Sequence, residues 1–482
     1  MKRAKSLSPL FFIVFLLFLN ACGGGEAENR SLSESKKVVV IQVDERLLQK
    51  IPGDYEVFYI YPIGYGKMLD RNLAMRHHEG QAKKYVCYTF LDDAKLFEES
   101  KRCISRFQAD SGPIDYILPQ ESDEMVYMGG RLRSYFGLKS GLDERHAAYL
   151  SDKIAMKNKL LSSDSSIKTA RYFEVTAQDF QGDYVSFIKT KLQEKLGVDW
   201  KKAVMKPSSE AGSIGVFTFN NDDELSKNLE KFYRTKIRNL IQNGGSVVVE
   251  EFVEGEILRM DGFVKNGKLV VNFPSAYTIP PLEFYSKGNP QLTLSRVGDT
   301  KRYDVFAQKV VNALDYKDGI IHLEAIESTD GSIYFLEIAG RTGGTLAYTL
   351  AAQGFDSELA YMYTNLGIEV PLNINKRPYA SVSLFVPREI ARDTESLVLQ
   401  RLYHTPLTSL ISYTPLSPRV IKGVGERLKP YENIYIWTFM NEDHELVKRE
   451  VWEFYRSLDV SVYLEGGSQG GRRIDLINQK WQ

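Results

Sequence analysis

Short β-branched runs alternate along the chain with longer stretches in which apolar and charged residues mix, the pattern of an α/β protein. Val38-Val39-Val40-Ile41-Gln42-Val43 suits a buried parallel strand, and residues 85–91 and Ile114-Asp115-Tyr116-Ile117-Leu118, stopped by Pro119, predict two more. Residues 92–106 between them read as a surface helix. Together they predict a small doubly wound domain over 38–150. Gln120, Glu121, Ser122 and Asp123 would then stand at the carboxyl edge of its sheet, against a ligand or as a solvated turn.

From residue 152 the pattern changes. Asp152-Lys153-Ile154-Ala155-Met156-Lys157-Asn158-Lys159-Leu160 predicts a helix with apolar residues at 154, 156 and 160 and cations at 153, 157 and 159, which taken alone read as solvated. Ala203-Val204-Met205-Lys206-Pro207 predicts a strand that enters the loop Ser208-Ser209-Glu210-Ala211-Gly212-Ser213-Ile214-Gly215 and returns over 216–219. Glycines let such a loop approach an anion, and its N–H groups can cradle phosphate oxygens. No Gly-Lys-Ser/Thr follows, so it is not a Walker A loop, and by itself it reads as an ordinary hairpin.

Ser246-Val247-Val248-Val249-Glu250-Glu251-Phe252-Val253-Glu254-Gly255-Glu256 carries a hydrophobic strand into a hinge whose carboxylates and backbone can read an adenine edge. Residues 261–271 predict a hairpin turning at Asn266-Gly267. Further on, Gly319-Ile320-Ile321-His322-Leu323-Glu324 and Ile333-Tyr334-Phe335-Leu336-Glu337 predict a second hairpin that brings Glu324 and Glu337 together on one face. Two buried carboxylates repel, and a Mg²⁺ or Mn²⁺ ion bridging to phosphates would relieve them. Gly340-Arg341-Thr342-Gly343-Gly344 sets a guanidinium beside that place, for an anionic substrate or for a salt bridge to Glu324.

Composition narrows the classes. The 482 residues are long enough for about three domains. The 62 basic residues balance 62 acidic ones, which gives no bulk attraction to nucleic acid. Three cysteines exclude a disulfide-built scaffold. One of them belongs to the N-terminus: Lys2, Arg3 and Lys5, an apolar stretch over 7–19, then Leu19-Asn20-Ala21-Cys22, resembling a bacterial lipobox with Cys22 as the acylated residue. Residues 1–21 read as a lipoprotein-type signal peptide and 22–37 as a flexible tether, which predicts a membrane-anchored lipoprotein, or a cytoplasmic protein if that segment is not processed. Cys87 and Cys103 remain as free thiols or, in an exported chain, a pair.

The order of the central motifs, Asp-Lys-x-x-Met-Lys, Lys-Pro with its Gly/Ser loop, Glu-Glu-Phe-Val-Glu-Gly, His-x-Glu and Glu-x-x-x-Arg-x-Gly-Gly, resembles the ATP-grasp superfamily. The likeness is greatest to its carboxylate–amine ligase branch, which includes the L-amino acid ligases, and spans about residues 110–350. It implies an α/β fold of the α+β ATP-grasp kind: a pre-ATP-grasp domain over 38–150, an ATP-grasp domain of two α+β subdomains over 151–373 and a C-terminal α+β domain over 374–482. It implies that Lys153 and Lys206 contact ATP phosphates, that the loop with Ser209, Gly212 and Ser213 closes over them, and that Glu250 and the backbone of Glu251 and Val253 bind adenine. It further implies that Glu324 and Glu337 hold magnesium and that Arg341, with Lys206, serves catalysis on an acyl phosphate.

Two positions depart from the family's pattern. Ile257 stands where a ribose-binding acid is common, leaving Glu254 or Glu256 to substitute, and Ala339 stands where a third metal ligand is usual. The implied partners are a small carboxylate and an amine, amino acids among them, with oligomerisation left open. A lipobox points to export, where ATP is scarce, so a second class stands beside the ligase: an envelope-anchored protein that binds a ligand or nucleotide without catalysis.

Overall fold

The computed structural model describes residues 35–475 apart from 44, 64–84, 91–92, 199, 214, 221–223, 228, 230–243, 279, 282–289, 345, 386–393, 402–405, 412–418, 423–432 and 465–472. The signal-like segment with Cys22, the pair His77-His78 and the Gly-rich run 466–471 therefore lie outside the described residues.

The first sheet is entirely parallel, in the order β3 (Tyr85–Phe90), β2 (Tyr55–Ile63), β1 (Lys36–Ile41), β4 (Tyr116–Pro119). Val39, Ile41, Phe58, Ile60 and Ile117 bury one face against the helices Asp93–Ser111 and Asp123–Phe136. Val38, Val40, Tyr55 and Val57 bury the other against Leu346, Leu350, Phe355, Tyr361 and Leu366. This double burial is why β1 reads as an unbroken β-branched run. It also welds the first domain to the helices that follow the Gly-Arg-Thr-Gly-Gly motif.

The next strands form two sheets. β5 (Lys168–Thr169) is short; β6 (Tyr172–Val175), β7 (Ala203–Pro207), β8 (Phe217–Phe219) and β9 (Val247–Glu251) form a four-stranded sheet ordered β6-β9-β7-β8. Its Phe173, Met205, Phe219 and Val249 pack with Ile188 and Leu192 of the helix Tyr184–Leu196. The larger sheet contains β10 (Gly255–Lys265), β11 (Lys268–Tyr277), β12 (Gln291–Ser295), β13 (Gly319–Ser328) and β14 (Ile333–Ala339). β10 and β11 turn at Asn266 and Gly267, both at positive φ, as the Asn-Gly signal predicts.

The C-terminal segment departs from the sequence-based expectation. β15 (Tyr379–Phe385) pairs with β12, and β18 (Asn433–Met440) pairs with β15, so the larger sheet runs β18-β15-β12-β11-β10-β13-β14-β5 across the boundary at 374. Buried edges explain the continuation: Val382, Leu384, Trp437 and Phe439 are covered by the helix His444–Ser457, and the pairing spans the polar connection 367–378. β16 (Thr394–Arg401), β17 (Arg419–Lys422), β19 (Leu458–Leu464) and β20 (Arg473–Asp475) make a separate antiparallel sheet. Among the described residues, no helix is long and apolar enough to cross a membrane.

Candidate active site

The helix Lys153–Ser163 starts at Asp152, whose side chain accepts from the N–H of Ala155. Spacing of four residues puts Lys153 and Lys157 on one face. Both are buried, together with Met156 and Leu160, so these lysines are not the solvated face that the sequence alone suggests. Lys157 Nζ lies 3.1 Å from Glu250 Oε2, and Lys206 Nζ pairs with Glu250 Oε1. Burial by itself would raise the Glu250 pKa; Lys157 and Lys206 outweigh it and hold the carboxyl at about 2. One carboxylate cannot satisfy two ammonium groups. Burial accordingly pulls the Lys157 pKa down, with Lys206 adding to the effect, and the cluster keeps a surplus positive charge.

This changes the part expected of Glu250, because its side chain is locked between lysines and its backbone pairs with Tyr172 on one side and Val204 on the other. Glu251 is likewise committed: its N–H donates to Arg171 O at 2.9 Å, and its carboxylate takes a two-pronged bond from Arg171 at 2.8 and 2.9 Å. Phe252 N–H donates to Lys202 O. The N–H of Val253 has no hydrogen-bond partner among the described residues. Glu256 pairs with Arg296, while Glu254 stands exposed at the rim with Lys202 Nζ 3.9 Å away.

The loop after β7 closes on the same helix. Lys153 N–H donates to Ser208 O at 2.9 Å and Lys153 Nζ to Glu210 O at 2.6 Å. Gly212, Ser213 and Gly215 all have positive φ, which keeps this backbone tightly turned. Lys153 Nζ also lies 3.2 Å from Glu337 Oε2. Burial opposes its charge, and Glu337 overcomes that and raises its pKa. Ser209, Glu210, Lys153, Glu337, His322 and Arg341 line one small cavity of about 20 Å³.

The two glutamates meet as expected: Glu324 and Glu337 are direct cross-strand partners, followed by a bulge at Ala325. Glu324 accepts from Tyr277 OH at 2.7 Å and lies 3.3 Å from His322 Nε2; it does not pair with Arg341. Behind it is a set that the sequence reading passed over. On β10 the alternation sends Leu258 and Met260 into the core and Arg259 and Asp261 to the opposite face, where they register with Glu324 and His322. Arg259 Nε is 3.2 Å from Asp261 Oδ2, and Asp261 Oδ1 is 2.9 Å from His322 Nδ1. Against burial, Arg259 and His322 hold the Asp261 pKa at about 2, and Asp261 raises that of His322. Polar residues two apart inside an apolar strand were the available signal for this group.

These donors suit a hard divalent cation. Oxygen ligands from two adjacent carboxylates, with phosphate and water completing the set, are the habit of magnesium. Ala339, buried beside Glu337, adds no donor atom, and among the described residues no three His, Cys, Asp or Glu side chains group as a metal site. A cation held here would find protein oxygens on Glu324 and Glu337 alone among these positions, Ala339 adding none.

Arg341 reaches across the domain seam. Its Nε and Nη2 donate to Asp123 Oδ2 at 2.9 and 2.7 Å, and Thr342 N–H donates to Glu121 Oε1. The carboxyl edge of β4 therefore meets the Arg-Thr-Gly-Gly loop. Burial pushes the Glu121 carboxyl up to about 7, with the hydrogen bond from Thr342 opposing. Gly343 lies directly over the buried network: a Cβ there would fall 2.0 Å from Arg259 Nη2 and 2.7 Å from both Asp261 Oδ1 and His322 Nδ1, so the loop can lie this close only without a side chain.

Residues 201–349 match the model of the ATP-grasp domain. No curated protein sequence matches significantly. Among solved structures, the chain resembles an L-amino acid ligase from Bacillus licheniformis (TM-score 0.59, 13% identity, 90% of this chain and 100% of that one). It also resembles N5-carboxyaminoimidazole synthetase from Staphylococcus aureus complexed with ADP (0.55, 13%, 87% and 97%). A third likeness is to the biotin carboxylase domain of Hydrogenobacter thermophilus 2-oxoglutarate carboxylase, complexed with MgADP, ADP and bicarbonate (0.58, 15%, 92% and 93%). The mixed α/β chain thus has the α+β ATP-grasp architecture, and the superfamily these findings support is ATP-grasp.

Proposed function

We propose that the chain is an ATP-dependent carboxylate–amine ligase that forms an amide or peptide bond through an acyl phosphate. The observation that carries this reading is the buried cluster of Lys157, Lys206 and Glu250, whose surplus positive charge stands at the end of the strand that enters the Gly/Ser loop, a loop that also touches Lys153. A triphosphate supplies the missing negative charge. Val253 N–H reads the base, Lys153 and Lys206 meet phosphates, and the loop from Ser209 to Ser213 excludes water. Glu324 and Glu337 would hold magnesium, which would supply charge neutralisation for the transferring phosphoryl group. Substrate carboxylate attacks the γ-phosphorus, ADP departs, and an amine then attacks the acyl carbonyl and expels phosphate. Arg341, anchored by Asp123, faces the anion formed in each step.

A nucleotide-binding assay with magnesium, followed by a screen of amino acids and small acids for ATP-dependent phosphate release, tests the proposal. Binding of ATP and phosphate release with a particular acid and amine are expected. Binding without release for any pair would leave an envelope-anchored binding protein instead; no binding at all would overturn the nucleotide reading as well.

We also propose that the protein is exported and anchored through Cys22. The order of Lys2, Arg3 and Lys5, the apolar stretch and Cys22 supports this, as does the bond between Cys87 and Cys103, since such bonds persist mainly in oxidising compartments. Mass spectrometry of the membrane fraction is expected to show a chain starting at an acylated Cys22, with a globomycin-type inhibitor blocking its processing. A chain that retains residues 1–21 in untreated cells would rule the anchor out.

A further inference from the structure

Arg259, Asp261, His322 and Glu324 are all buried on one face of the larger sheet, and they touch one another in a chain. Arg259 meets Asp261 twice, with Nε 3.2 Å from Oδ2 and Nη2 3.3 Å from Oδ1. Asp261 Oδ1 lies 2.9 Å from His322 Nδ1, which leaves the other ring nitrogen, Nε2, facing Glu324 Oε1 at 3.3 Å. The guanidinium carbon of Arg259 also stands 5.1 Å from the centre of the Tyr277 ring, and the Tyr277 hydroxyl donates to the same oxygen, Glu324 Oε1, at 2.7 Å. Two routes from one arginine therefore end on one carboxylate oxygen.

Replacing a buried ion pair by apolar side chains of similar volume is often neutral or stabilising, so stability alone does not account for this group. Its end point does. The last torsion of a glutamate is soft, whereas a bound cation needs the carboxylate at one angle and distance. Tyr277 and His322 both engage Oε1, and neither takes Oε2, the oxygen that remains for a cation. Asp261 decides which nitrogen of His322 faces Glu324, as the outer partners of metal ligands do. Gly343 rests on the same group, so close that a Cβ there would overlap Arg259 Nη2, and the loop that carries Arg341 is thereby seated on this arginine.

We propose that Arg259 and Asp261 are positioning residues: acting through Tyr277 and His322, they hold Glu324 by Oε1 so that Oε2 is presented to a divalent cation, and through Gly343 they seat the Arg341 loop beside it. The inference rests on the nucleotide and magnesium part of the ligase reading, and turnover is not needed to test it.

Full-length protein is titrated calorimetrically with ADP, with and without saturating magnesium, and the ratio of the two affinities reads what the metal contributes. The paired variant Arg259→Met/Asp261→Leu removes one charge of each sign and keeps the site apolar and filled. Its urea midpoint is expected to stay near or above wild type, while the affinity ratio falls about tenfold or more, the usual effect of losing an outer partner of a metal ligand. Should the paired variant not fold, Tyr277→Phe and His322→Gln test the two routes singly, each expected to lower the ratio several-fold. An unchanged ratio in the folded paired variant, or in both single variants where that one does not fold, would overturn the proposal and leave the group as a structural network. An equal loss of affinity without magnesium would also overturn it, by marking a general distortion. A wild type that binds ADP no tighter with magnesium would overturn the metal site together with this proposal, and a wild type that binds no ADP would overturn the nucleotide reading as well.

Discussion

Glu250→Gln is expected to cost about 3–5 kcal/mol of folding stability, because it leaves two buried lysines without their carboxylate. The pair geometry supports a large effect: Glu250 is 3% exposed, and both of its oxygens face ammonium groups. A pKa of about 2 against an ordinary 4.5 gives the sign of the pH dependence. A depressed acid contributes stability that is fully present above pH 4.5 and is lost as pH falls through 2. The gap between wild type and variant in urea midpoints should therefore be widest at neutral pH and shrink on acidification. Lys157→Met offers the contrast, since Glu250 and Lys206 then form a neutral pair; its cost should be within about 1 kcal/mol, or negative. Equal losses from the two substitutions would show that surplus charge is not what the cluster stores. If nucleotide supplies the compensating anion, ATP should raise the wild-type melting temperature more than that of Lys157→Met.

Much of this site was legible because it is carried by local order. Strand, loop and return strand around Lys206, and the hairpin pairing Glu324 with Glu337, depend on spacing within a few residues, which sequence displays directly. The Arg259, Asp261 and His322 group was not, because a polar residue inside a strand gains meaning only from the partner strand, and β10 meets β13 more than fifty residues later. Lys157 was missed for a related reason: three lysines within two turns look solvated until Glu250 on β9 takes up Lys157 and Glu337 on β14 takes up Lys153. Arg341 is the clearest case. Its counter-ion, Asp123, comes from the first domain, 218 residues earlier, and only the packing of β1 and β4 against residues 346–366 brings the two together. The C-terminal boundary failed similarly, since β12, β15 and β18 pair across 374 by edges that no local signal marks.

Glu324→Gln and Glu337→Gln should each reduce ATP-dependent phosphate release by about a thousandfold or more, the equivalent of about 4 kcal/mol of transition-state stabilisation. Their effects on folding should differ. Glu324 is buried, accepts from Tyr277 and His322, and is register partner to Arg259, so its neutralisation disturbs a charged network and should cost about 1–3 kcal/mol. Glu337 is 28% exposed in its side chain and, among the described residues, pairs with Lys153, which keeps Glu210 O as an acceptor but loses the anion that offsets its burial; its substitution should lower the urea midpoint by less than Glu250→Gln, which strips two buried lysines of their carboxylate. Glu337→Gln is therefore the cleaner probe. Magnesium-free nucleotide binding should survive in it, because Lys206 and the Val253 N–H are untouched, while magnesium should no longer strengthen that binding. If phosphate release persists in Glu337→Gln with the fold intact, the pair on β13 and β14 is not where phosphoryl charge is managed. If release is absent from wild type too, yet magnesium still tightens nucleotide binding through Glu337, the fold is holding nucleotide without turning it over. The donor set of two carboxylates, with Ala339 contributing none, would then be the physical reason to examine first, by placing an Asn at 339 and measuring release again.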